Sequence, residues 1–227
     1  MVDFLFHKIE RKDPRIKELF LLRYQVYCTE CQFESPDDHP SGMESDEYDE
    51  HSVHFCAVIK ETDEIIGTVR IILPSERGFP IEYHCDLNSD RPSVNRNCVG
   101  EISRLAISKD YRRRAVDQAL YSEQEVDIKE LRRIHEQRRQ FESRIVAGLY
   151  QCVYHESLAR GLTHWYAVMV KGLYCLLRRW GITWTPIGPA VEYHGLRSPY
   201  LAIIAENERQ AVRLNPRLME KPPGWID

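Results

Sequence analysis

Residues 99 to 108 read VGEISRLAIS. Val99, Ile102, Leu105, Ala106 and Ile107 make the run apolar enough for a strand buried on at least one face, yet Glu101 and Arg104 sit inside it. Isolated charges are costly in such a place unless they are paired or used. The fold and the chemistry both turn on what these two charges are for.

Working outward, SVHFCAVIKE (52 to 61) and EIIGTVRIILP (64 to 74) are β-branched runs separated by Thr62-Asp63, which predicts an antiparallel hairpin. Residues 2 to 10 alternate as a first strand. Asp13-Pro14 then offers an N-cap and a first-turn proline for a helix running to about residue 31. The segment 33 to 51, dense in Pro, Asp and Glu, reads as an acidic loop. From Tyr121 the chain is heavily charged, and Phe141, Ile145, Leu149 and Val153 recur every fourth residue, predicting an amphipathic helix before Gly161. HWYAVMV (164 to 170) predicts a strand and 172 to 181 a short helix ending at Gly181, with further strands near 182 to 188 and 199 to 205. A meander followed by β-α-β-α-β makes a mixed α/β layer architecture. Residues 1–206 are expected to form one domain with a charged helical insertion at about 111–140, and residues 207–227, with Pro216, Pro222 and Pro223, an irregular tail.

The 227 residues carry a net charge of −4, which gives no electrostatic reason to expect nucleic acid as a partner. No secretion signal and no apolar run of transmembrane length stands in the sequence, so a cytoplasmic protein is expected. Seven cysteines, an odd number, argue against a disulfide framework and for reduced thiols. Cys28-x-x-Cys31 stands without a second such pair, and His51 and His54 lack third and fourth ligands, so no metal site is expected.

The polar outliers form a charge-matched set: Arg23 in the first helix, Glu44, Asp46 and Asp49 in the acidic loop, Arg70 in a strand, and Glu101 with Arg104. Residue types alone leave two readings open. One is a structural ion-pair network that ties the loop to the sheet; the other is a reaction site.

Four stretches in order, LRYQVYCTECQFE (22 to 34), GMESDEYDEHSVHF (42 to 55), GTVRIILP (67 to 74) and EISRLAIS (101 to 108), resemble the acyl-homoserine-lactone synthases. Their wording is closer still to the acyltransferases associated with the PEP-CTERM/exosortase system, and N-acyl amino acid synthases are related. The resemblance is close over roughly residues 15 to 110 and looser over 140 to 205. It implies a GNAT-like α/β fold: a central mixed, mostly antiparallel, splayed sheet flanked by helices, holding an acyl thioester against an amine.

By that resemblance Arg23, Asp46, Asp49, Arg70, Glu101 and Arg104 match functional positions; Tyr27, Phe33, Glu44 and Ser103 are further candidates for binding the substrate. Aminolysis of a thioester needs a base for the amine proton, and Glu101 is the candidate. Backbone N–H groups around Leu105, Ala106 and Ile107 are candidates for binding the oxyanion, and Arg104 for holding the carboxylates in register. Where GNAT enzymes often carry a tyrosine acid, this chain has Leu177. The lactone synthases' aromatic pair is altered to Tyr27 and Phe33, which argues against S-adenosylmethionine as the amine donor. Phe79, Trp165, Val168, Trp180 and Trp184 are candidates for an acyl tunnel or for plain core.

The expected activity is N-acyl transfer from a thioester carrier to an amino acid or similar small amine, with no bound cofactor. The enzyme alternative is homoserine lactone synthesis from S-adenosylmethionine, and a non-catalytic acyl-carrier or lipid binder is a third reading. In YRRRAVD (111 to 117), Ala115 and Asp117 replace the glycines that close on the coenzyme A pyrophosphate in GNAT enzymes. That favours an acyl carrier protein over coenzyme A. Arg112, Arg113 and Arg114, with Arg132, Arg133, Arg138 and Arg139 nearby, would steer such an acidic carrier or simply form a solvated helix face.

Overall fold

A computed structural model describes residues 2–112 and 128–225 of the chain. Eight strands are present among them: β1 (Phe4–Ile9), β2 (Ser52–Ile59), β3 (Ile65–Ile72), β4 (Val99–Ile107), β5 (His164–Met169), β6 (Thr185–Pro186), β7 (Val191–Glu192) and β8 (Leu196–Ile203). The helices are α1 (Ile16–Tyr24), α2 (Pro80–His84), α3 (Ile128–Ala159), α4 (Lys171–Arg179) and α5 (Ile204–Leu214). The sheet order is β1-β2-β3-β4-β5-β8-β6, with β7 added on β8.

β1 to β4 pair antiparallel, as the alternating and β-branched runs require, and Asp63 turns the predicted hairpin at φ 58°. The near-continuous apolar reading of β2 has a simple cause: both of its faces are covered. Phe55, Ala57 and Ile59 face α3, while Cys56 and Val58 face α1. Ile145, Leu149 and Val153 of α3 bury the predicted stripe against the sheet. Gly148 permits the close approach, since a Cβ there would lie 2.1 Å from the Phe6 ring.

The decisive irregularity lies in β4. Arg104 has φ 53°, and between the pairs Arg70↔Ser103 and Thr68↔Ala106 two residues of β4 oppose Val69 alone. This is a β-bulge, which bends its strand and re-aims side chains. β4 and β5 run parallel only from Val99↔His164 to Ile102↔Ala167; beyond that point they diverge. The splayed, mixed sheet flanked by helices is the fold the sequence implied.

Four expectations need correction. The residues expected as an irregular tail from 207 begin inside α5, because Ile204, Asn207 and Ala211 recur at helical spacing and are buried; the prolines all fall beyond it. Past α5 the chain returns to the sheet, where Phe6 N–H donates to Pro223 O at 2.7 Å and Trp225 stacks on Phe55. The first helix ends at Tyr24 and continues to Glu30 as a wider π-helical turn. The strand expected near 182 to 188 shrinks to Thr185–Pro186. Of the insertion expected at 111–140, the part from Ile128 is the start of α3, and residues 113–127 lie outside the described residues.

Candidate active site

The acidic loop is irregular, as its composition requires, but it does not stay at the surface. Glu44 is fully buried and Asp49 nearly so. Arg23 of α1, itself buried, donates to Glu44 and, through Nη1, to Asp49 Oδ1 at 2.8 Å. Arg70 of β3 donates to both oxygens of Asp46, to Asp49 Oδ1, and through Nε to Ser103 Oγ at 2.9 Å. Arg104 closes the set: its Nε meets Glu44 Oε1 at 3.0 Å, and its Nη2 lies 3.1 Å from Asp46 Oδ2 and 3.3 Å from Glu34 Oε1. The bulge aims Arg104 into this network. A non-glycine residue held at positive φ is kept there by its surroundings, and such strain gathers at functional sites.

Burial alone would push the carboxyls of Glu44, Asp46 and Asp49 up. The guanidinium groups of Arg23, Arg70 and Arg104 outweigh it and hold all three below the usual range. Glu101 is different. It is 2% exposed, and its Oε2 accepts from Ile81 N–H at 3.0 Å in the first turn of α2. Burial pushes its carboxyl up to about 8, against the opposing pull of that N–H and of Arg70. A carboxylate that takes a proton near neutrality is what a general base requires.

A cavity of about 610 Å³ passes through the gap where β4 and β5 part. On the α1 side it is lined by Tyr27, Phe33, Glu101, Arg104, Tyr193 and Arg197. On the other side it continues between α3 and α4 as an apolar arm bounded by Val146, Leu149, Val153, Leu177, Trp180 and Trp184. Leu105 and Ile107 line the passage between the two sides. Ser108 N–H donates to Ile66 O, so Ser108 and Ala106 face β3, and the alternation turns the N–H groups of Leu105 and Ile107 toward the gap. The arrangement brings a base, two strand N–H groups turned toward the gap and an apolar arm to one opening. That set can hold an acyl thioester and deprotonate an attacking amine.

Of the expected residues, Tyr27, Phe33, Arg70, Glu101, Ser103, Arg104, Leu105 and Ile107 line this cavity. Arg23, Glu44, Asp46, Asp49 and Ala106 are not among the lining residues; the first four stand behind the wall as ion pairs. Asp46→Asn is therefore expected to lower the melting temperature by several degrees and leave the amine's KM unchanged. A raised KM at unchanged melting temperature would assign Asp46 to the amine instead.

Among the tunnel candidates, Val168, Trp180 and Trp184 line the cavity, whereas Phe79 and Trp165 are fully buried core. Trp165 spends its indole N–H on Ser157 Oγ at 2.8 Å. Arg112 was expected on a carrier-facing surface. It is instead largely buried at the cavity wall, paired with Glu30 and 3.2 Å from Cys31 Sγ. Arg113 and Arg114 lie outside the described residues, as do the side chains of Arg132 and Arg133.

Sequence reasoning missed Tyr193 and Arg197, which the hairpin of β7 and β8 brings over the site. Its turn holds His194 at φ 53° and Gly195 at φ 89°. His194 lies 3.3 Å from Glu34, and the Arg197 guanidinium sits over the Phe33 ring at 5.2 Å. The only signal was the turn glycine in YHGLR.

Residues 22–122 match the acetyltransferase (GNAT) domain family. The acyl-homoserine-lactone synthase of Vibrio anguillarum is 29% identical over 93 residues, covering 41% of this chain. The matched stretch spans 47% of that relative, about half its length. Among solved structures, BjaI, a CoA-dependent acyl-homoserine lactone synthase with SAM and isopentyl-CoA, has a TM-score of 0.65 at 19% identity, covering 95% of this chain and 90% of that one. FeeM, an N-acyl amino acid synthase from uncultured soil microbes, has a TM-score of 0.54 at 13% identity, covering 93% and 96%. The chain has the GNAT-like α/β fold. No helix among the described residues is long and apolar enough to cross a membrane.

Proposed function

We propose that this chain is an N-acyltransferase of the acyl-homoserine-lactone synthase and N-acyl amino acid synthase group. It moves an acyl chain from a phosphopantetheine thioester to the amino group of a small molecule. The observation that carries this is the continuous cavity at the β4–β5 gap, with Glu101 on one side and an apolar arm on the other. The thioester carbonyl would lie at Leu105 and Ile107, its oxygen facing their N–H groups. The amine attacks as Glu101 takes its proton, directly or through one water. A C–N bond forms, the C–S bond breaks, and the thiolate leaves to be protonated from solvent. A thiol of pKa near about 8.5 is a tolerable leaving group, so Leu177 in place of a tyrosine acid does not block the step.

For the acceptor, the amino acid favoured by the sequence gives way to S-adenosylmethionine as the reading with more support. The curated relative is a lactone synthase, and BjaI resembles this chain more closely than FeeM does. Arg104 and Arg197 at the acceptor end suit the α-carboxylate that both acceptors carry. A free amino acid stays as the second reading because Tyr27 and Phe33 stand where the lactone synthases carry another aromatic pair. Incubation with an acyl thioester and either acceptor separates these readings. Thiol release that depends on S-adenosylmethionine, with N-acyl homoserine lactone in the mass spectrum, supports the first. N-acyl amino acid supports the second, and no release with either removes the transferase and leaves a binder.

A place in the PEP-CTERM/exosortase system rests on motif wording alone and is proposed on that ground. For the donor we favour acyl carrier protein, because Ala115 and Asp117 leave little for a pyrophosphate. The expected result is a higher kcat/KM for the carrier protein than for coenzyme A with the same acyl chain, a preference that weakens with added salt. Equal values at low salt would overturn it.

A further inference from the structure

We propose that Arg197, and not Arg104, is the cation that selects the acceptor, and that it restricts this site to small molecules whose amine stands beside a free carboxylate. The inference deepens the transferase reading and rests on it for taking the α1 side of the cavity as the acceptor's end. Three guanidinium groups line that side, those of Arg70, Arg104 and Arg197. The first two are already engaged. Arg70 has all three nitrogens bonded to Asp46, Asp49 or Ser103. Arg104 gives its Nε to Glu44 and its Nη2 to Asp46 and Glu34.

Charge decides what that network can do for an incoming anion. Arg23, Arg70 and Arg104 face Glu34, Glu44, Asp46 and Asp49, so four carboxylates outnumber three guanidinium groups before Glu101 is counted. A further carboxylate brought against this set would lose its hydration and meet net negative charge. The attraction has to come from a fourth cation.

Arg197 has no carboxylate partner among the described residues. Its Nε donates to His194 O at 3.1 Å, and its guanidinium lies over the Phe33 ring at 5.2 Å. These contacts fix the plane of the group and leave Nη1 and Nη2, a pair of donors that can take both oxygens of one carboxylate. The carbonyl that holds it belongs to the turn residue at φ 53°, His194, which is itself tied to Glu34 at 3.3 Å and to Phe33 O at 3.2 Å. The hairpin of β7 and β8 thus presents a cation held in place before any acceptor arrives. An amide or a decarboxylated amine would leave that cation unpaired, and a site built to bond a polar group strongly rejects the analogue that lacks it.

The test is calorimetric titration of the protein with S-adenosylmethionine against its decarboxylated analogue, and with each common amino acid against its amide. In at least one pair the carboxylate member is expected to bind roughly tenfold or more tighter. That ratio should collapse toward unity in Arg197→Gln and return in part in Arg197→Lys, which keeps the charge and loses the fork, each variant being checked for an unchanged melting profile. A ratio near unity in every pair, no binding by either member of any pair, or a preference that survives Arg197→Gln overturns the inference. The titration needs no turnover. A preference that depends on Arg197 in a protein that releases no thiol from any thioester would therefore defeat the transferase reading and leave this one standing. Thiol release as fast with the amides as with the amino acids would do the reverse.

Discussion

Glu101→Gln is expected to lower turnover by roughly 100-fold or more without lowering the melting temperature. The variant keeps an oxygen for the Ile81 N–H and loses only the ability to take a proton. The stability side has a definite sign. The carboxyl of Glu101 is raised to about 8 in the folded chain, against about 4.3 for an unperturbed glutamate. Between those values the folded chain holds a proton that the unfolded chain has released, so the wild type loses stability as pH rises through this window. Glutamine carries no such cost. The variant's melting temperature, relative to wild type, should climb from about pH 5 to about pH 8. A variant that loses stability along with activity would move Glu101 from the base to the scaffold.

Arg23→Met is expected to have the largest effect on stability. Arg23 is fully buried, and its removal leaves Glu44 with Arg104 and Asp49 with Arg70 as their remaining cations. Breaking a buried pair from one side costs about 3–5 kcal/mol, which in a chain of this length is a fall in melting temperature of roughly 10 °C. The carboxyls of Glu44 and Asp49 are held below their usual range, so the stability they contribute is present above the unfolded value, near about 4, and is lost as pH falls through their lower folded values. The deficit of the variant should therefore shrink in acid. A deficit of equal size at acid and neutral pH would trace the loss to packing instead.

The sequence showed these charges plainly because each stands among apolar neighbours, where an unpaired charge is too costly to be incidental. Arg70 inside GTVRIILP and Glu101 inside VGEISRLAIS could be read as a site for that reason, and β2 and β3 announced themselves through uniform burial. What stayed hidden was set by tertiary geometry. Nothing in ISRLA marks Arg104 for positive φ, and the loop carboxylates its side chain meets there lie some sixty residues earlier in the chain. Tyr193 and Arg197 arrive from nearly a hundred residues downstream on a short hairpin with one turn glycine as its signal. Phe79 and Trp165 could not be told from tunnel residues, because core and tunnel walls use the same side chains. The cost of reading prolines too strongly was α5, whose buried stripe ends just before the first of them.

The central claim is that Glu101, in the gap between β4 and β5, takes the amine proton during acyl transfer. The most direct measurement is kcat/KM for thiol release from an acyl thioester, followed from about pH 6 to about pH 9.5 in the wild type and in Glu101→Gln. The acceptor's own amine titrates in the same region, so only a break that distinguishes the two proteins reports on Glu101. The account predicts a rising limb in the wild type that levels near about 8, with that break absent from the much slower variant. A wild-type profile flat through this region, or the same break at undiminished rate in Glu101→Gln, would contradict it.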